Sequence, residues 1–200
     1  MSLLTICEKL AYDVGMEAPT QIITAPDRRW KEAASMGNAT GDELARRVDW
    51  GALHSTATLT GDGTNKVHDL GATYDRITPG IAVTSGGVTI RPLSRAEWAS
   101  LDALEGDPRY FLLEGQNVTL WPYLATGVTA TVQYQTNAWC SNGTAEWAAD
   151  TDTSLIDEDI FAKGLIVRWR RQKGMAYDDQ EAEYEAALAE IASFDDRSRI

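Results

Sequence analysis

Few residues of this 200-residue chain offer chemistry beyond packing, and its two histidines come first. His54 and His68 flank a GDGTN turn. If the flanking segments pair as a hairpin, both come near each other as two possible metal ligands, with no third in view. As surface strand residues they need no metal. The stretch DTDTSLIDED has acids at calcium-loop density. Counting from Asp150, however, its sixth position is Leu155 and its twelfth Phe161, where such a loop needs glycine and an acid. Helix capping accounts for those acids. No Gly-x-Ser-x-Gly elbow, phosphate loop or dinucleotide fingerprint is present, and TGDGTN lacks the lysine and the strand-to-helix setting. Any acidic chain supplies carboxylate pairs of the kind that cleave glycosides, and no pair stands out. Seven tryptophans are many for this length. Trp98, Trp121, Trp139 and Trp147, in or near a β-rich middle, suit either a sugar-stacking face or core and interface anchors, the commoner use. The residue types therefore favour a protein without catalytic residues, cofactor or metal. The alternative is a glycan-binding or glycan-cleaving module built on the tryptophan-rich β region.

Composition narrows the field further. Thirty acids against eighteen bases give a net charge of −12. That argues against gripping nucleic acid, which calls for a basic face, yet suits a protein that lets DNA pass without sticking. WRRQK, from Trp169, is a small basic cluster that could touch phosphates. At a helix end, such bases serve the dipole and neighbouring acids. With 44% hydrophobic and 24% charged residues the mix is that of a globular domain. No apolar run reaches the roughly 20 residues of a membrane span, and MSLLTICEKLAYDV carries Glu8 and Asp13 where a signal peptide would be basic. Cys7 and Cys140 read as two buried free thiols, in keeping with a reducing cytoplasm.

The elements that would position these residues fall into three parts. Leu3, Cys7, Leu10 and Val14 mark one face of a first helix, capped by Ser2 or by a Thr5–Glu8 box and ended by Gly15. Trp30, Ala34, Gly37, Gly41, Leu44 and Val48 mark a second, from about Asp27 to Asp49. Its two interior glycines imply either a backbone packed closely against them or a break between Gly37 and Gly41. From Leu53 the pattern is β. Hairpins are expected across GDGTN, around Ser85-Gly86-Gly87 and at Gly115 to Asn117, with a short helix capped by Ser94 and Glu97 and a strand in VTATVQYQT. Beyond Asp150 come two helices. The first has a Ser154–Asp157 capping box, acids at its start, and Arg168, Arg170, Arg171 and Lys173 at its end. The second runs from Tyr177 to about Phe194, with Tyr184, Leu188 and Ile191 as its stripe. The expected architecture is α+β: a helical bundle from residues 1–50 and 141–200, with residues 51–140 inserted as an antiparallel β-rich subdomain, in one composite domain.

The order of these elements resembles the head-to-tail adaptor proteins of tailed bacteriophages and gene transfer agents. Three places carry the likeness: Glu43-Leu44-Ala45-Arg46-Arg47 running into Asp49-Trp50 and Leu53; the RYFLLEGQNVTLWP hairpin; and the Asp157 to Tyr184 helix pair with Trp169, Lys173-Gly174 and Tyr177. The resemblance implies a ring, typically of twelve copies, beneath the portal at the capsid vertex. Such a ring joins the portal to a downstream tail or stopper protein and leaves a channel for DNA. It places the protein in the virion neck, made in the cytoplasm of a bacterial host, with no membrane partner. It implies portal docking by the C-terminal segment, here Phe194, Arg197, Arg199 and Ile200. Trp30, Trp50, Trp169, Tyr184 and Leu188 are the candidates for packing, in the ring or in the core. The glycan reading would then describe a virion module on host-wall sugar.

Overall fold

The structure is a computed structural model; residues 2–78, 82–101 and 106–197 are described, with side chains to residue 192. In chain order the elements are α1 (Leu3–Val14), α2 (Arg28–Arg47), a 3-10 turn (Gly51–Leu53), β1 (His54–Thr60), β2 (Val67–Asp69), β3 (Tyr74–Ile77), β4 (Val83–Ser85), β5 (Val88–Thr89), β6 (Arg91–Pro92), α3 (Arg95–Ala99), β7 (Tyr110–Glu114), β8 (Asn117–Trp121), β9 (Thr129–Thr136), α4 (Glu158–Gln172) and α5 (Asp178–Arg197). The fold is α+β. It divides into two compact units, residues 1–53 with 137–200, and residues 54–136.

The first unit holds α1, α2, α4 and α5, with α4 packed against each of the other three. Ser2 caps α1: its hydroxyl accepts from the Thr5 amide, while the Thr5 hydroxyl accepts from the Ser2 amide. Thr5 is therefore the third helical residue and not the cap. Gly15, at φ 69°, ends the helix in the left-handed region. α2 is continuous through both glycines. What approaches them is indole, not backbone: Trp139 lies on Gly41 and Trp147 on Gly37. Trp139, Trp147 and Phe161 pack edge-on or tilted, with centroids 4.9–5.5 Å apart, against Leu3, Ile6, Leu10 and Leu44. The cap of α4 is Asp157, whose carboxylate accepts from the Asp159 and Ile160 amides. Ser154 instead accepts from the Ile156 amide, so the expected Ser154–Asp157 box does not form.

The second unit carries two sheets. One runs β1-β9-β4-β5, with β3 also on β9; the other runs β2-β8-β7-β6. The turns at Gly86-Gly87 and Gly115 close the β4–β5 and β7–β8 hairpins as expected. The GDGTN hairpin does not form. β1 pairs along its whole length with β9, and β2 pairs with β8 in the other sheet. Here Asp62 accepts from the Thr64 and Asn65 amides, and the turn passes the chain between sheets. One pair is parallel, β6 with β7. Leu59, Val83, Phe111, Val118, Leu120, Ala130 and Val132 fill the space between the sheets.

Candidate functional site

The charged surface of the helical unit is organised around α4. Its first turn carries Glu158 and Asp159, and its last turn carries Arg170 and Arg171, the arrangement the helix dipole favours. Each base then finds a carboxylate on another helix. Arg168 donates to Glu43 (2.5 Å), to the Thr40 hydroxyl (3.2 Å) and to the Ala39 carbonyl (3.3 Å). Arg170 reaches Asp13 on α1 (2.7 Å) and the Ala176 carbonyl (3.0 Å). Lys173 donates to Glu32 (2.5 Å) and stands 4.8 Å above the Trp169 ring. Arg171 approaches Glu181 at 3.8 Å, and Lys163 pairs with Glu183 at 2.7 Å. Lys9 and Asp159 form a further pair.

Between α2 and α5, Arg47 grips Glu185 with both terminal nitrogens, at 2.7 and 2.5 Å, and lies over the Tyr184 ring. That hydrogen bonding holds Glu185 below the usual carboxylate range and raises Arg47. Burial pushes the Tyr184 phenol up to about 12. Together with α4 these helices wall a recess of about 140 Å³ lined by Glu43, Val167, Arg168, Arg171, Glu181 and Tyr184. It is below the size usual for organic ligands. Of the WRRQK cations, Arg170 and Lys173 hold Asp13 and Glu32, while Arg171 stays exposed beside Glu181. A shallower cleft of about 310 Å³ lies along residues 17–21 and 25–30 and carries no histidine or cysteine.

The remaining candidates separate. His54 lies opposite Gln135 in one sheet and His68 opposite Val118 in the other, so the histidine pair is not assembled. Among the described residues, no group of three or more His, Cys, Asp or Glu is placed to hold a metal ion. Cys7 and Cys140 are free and buried, and burial raises the Cys7 thiol to about 12. Trp139 and Trp147 are core residues and cannot join a sugar platform. Trp121 is half-buried, with Lys66 3.5 Å above its ring and Trp98 against its edge at 6.1 Å, so its stacking face is taken from within. Trp30, Trp50, Trp169, Tyr184 and Leu188 are all buried in the helical core. The Phe194 and Arg197 side chains, and Arg199 and Ile200, lie outside the described residues. Sequence reading missed the interhelical pairs Arg47–Glu185 and Arg168–Glu43. The i,i+4 spacing of Glu43 and Arg47 was the available signal, and it pointed only within α2.

What the geometry presents, then, is a helical unit braced by ion pairs between its helices. The model of the SU10 adaptor protein family matches residues 1–200. The chain belongs to that family. This phage adaptor therefore carries the likeness over its whole given length, including the β unit. No curated protein matches it. Among the described residues of the adaptor, no helix is long and apolar enough to cross a membrane.

Proposed function

We propose that the chain is a non-enzymatic structural link at the head-to-tail joint of a tailed phage or phage-like particle. Copies form a ring, of twelve on the family pattern, under the portal. The C-terminal segment with Phe194, Arg197, Arg199 and Ile200 docks on the portal, and the opposite side receives a tail or stopper protein. DNA passes through the ring without specific binding. The family match across residues 1–200 carries this reading.

The electrostatics agree with it. The chain has a net charge of −12, and the cations of α4 hold carboxylates of neighbouring helices. A lumen of that sign repels phosphate and keeps transit free of tight contacts. The place of the protein is thus the virion neck, after synthesis in the host cytoplasm. The test is to mix the purified chain with portal rings from the same gene cluster and to size the product. Co-migration is expected, and removal of residues 194–200 should abolish it while leaving the helical unit folded. A chain that never co-migrates, under conditions where other neck proteins do, overturns the reading.

A further inference from the structure

The β1-β9-β4-β5 sheet is chemically unlike the rest of the chain. Four of its five strands, β1, β9, β4 and β5, contain no Asp, Glu, Lys or Arg, although 24% of all residues are charged; the fifth, β3, carries Asp75 and Arg76. Their registers place side chains in rows. Thr58 lies opposite Thr131, Thr131 opposite Thr84, and Thr84 opposite Thr89, so one threonine from each strand crosses the sheet on a single face. Thr56, Thr60, Thr129 and Gln133 share that face, and all four are exposed.

The edges are as unusual as the face. β1 bonds to β9 through alternate residues. Among the described residues no other strand pairs with it, which leaves a row of backbone donors and acceptors along its outer side. Sheet edges are commonly shielded by charge, proline or a bulge. HSTATLT has neither charge nor proline, and its register is regular over all seven residues. At the opposite edge, Val88 on β5 is 66% exposed.

We infer that β1 is a lateral docking edge that takes the β4–β5 hairpin of the next copy of this chain. This rests on the ring reading above and names the surface that would join its copies. Two observations select a second copy. Chains of −12 each repel, so contact between them is least opposed where neither side carries charge, and the two strands joined here, β1 and β5, carry none. Strand direction agrees: β1 is antiparallel to β9, β9 to β4 and β4 to β5. A neighbour placed head to tail beside β5 therefore presents its β1 antiparallel to it, and the sheet continues across the contact with its threonine row intact. Such an interface is heterologous, the kind that closes into rings. A β1–β1 contact would be two-fold and would stop at a dimer.

Particles assembled with full-length chain carrying Thr58→Cys, Thr89→Cys or both, treated with a short bismaleimide and run denatured, decide the matter. Both sites are exposed and both native thiols are buried, so the variants should enter particles at the wild-type level. The double variant should give a ladder of multimers, and each single variant only monomer. Thr56→Cys with Thr89→Cys covers a register slip of two residues and replaces a double variant that fails to enter. Chain present in particles but monomeric with both pairs overturns the edge inference and leaves the adaptor reading standing. Dimers from Thr58→Cys alone overturn it in favour of two-fold pairing. Wild-type particles lacking the chain overturn both.

Discussion

Gly41 lies directly beneath the indole of Trp139: a methyl group there would come 2.5 Å from Cζ2 and 2.6 Å from Cδ2. The helix interior tolerates the glycine, about 1 kcal/mol worse than alanine in propensity, because the ring needs the space. Gly41→Ala should therefore destabilise the protein by about 1–3 kcal/mol through overpacking, despite the propensity gain. Gly37→Ala meets only the rim of Trp147, Nε1 at 3.2 Å and Cδ1 at 3.7 Å, and should be close to neutral. Urea midpoints of the two variants check this; equal shifts would contradict the packing.

Arg47 and Glu185 tie α2 to α5, and both remain partly exposed, at 35% and 47% of their side chains. Solvent screening limits such a pair, so a double-mutant cycle with Arg47→Ala and Glu185→Ala should give a coupling of about 0.5–1 kcal/mol. The pH dependence has a definite sign. The folded pKa of Glu185 is lowered, so its contribution is complete above the unfolded value of about 4.3. It is lost as pH falls through the lower folded value. Thermal midpoints of wild type and Arg47→Ala should converge as pH drops below about 4. A difference that stays constant down to strong acid would refute the linkage.

The parts of the fold that were legible in the sequence are those set by local chemistry. Gly86-Gly87 and Gly115 turn hairpins because the chain reverses within a few residues, and Ser94 with Glu97 caps α3 for the same reason. The β1 partner was not legible. Alternation in HSTATLT says that a strand exists and which face it buries, but not whether it pairs across GDGTN or with β9 beyond residue 128. The capping error at Ser154 is of the same kind, since Ser and Asp both accept from backbone amides and only helix geometry decides between them. The tryptophans show the opposite limit: their number was plain, but Trp139 and Trp147 became core residues only through glycines about a hundred positions earlier.

Cys7 has no exposed surface, and its thiol is raised to about 12 by burial, with the charge of Asp150 adding to it. The thiolate is the reactive form, so Cys7 should resist Ellman's reagent in the folded protein at pH 8 and react on unfolding. Cys140, buried and also raised, should do the same. Labelling followed across a urea titration should track global unfolding. Rapid native labelling of Cys7 would show that α1 is not packed as described.

The carboxyl end of α2 illustrates how one aromatic can end a helix. The Leu44 carbonyl lies in the last turn of α2, which ends at Arg47. The Trp50 indole N–H turns back and donates to it at 2.7 Å, with both groups buried. Trp50→Phe keeps most of the apolar surface but removes the donor, and loss of that hydrogen bond should cost about 0.5–1.5 kcal/mol. The loss should be local first. Hydrogen exchange should quicken for the amides of residues 46–53 while the α1 and α4 amides keep their protection. If Trp50→Phe instead leaves both stability and exchange unchanged, the indole contributes apolar packing alone.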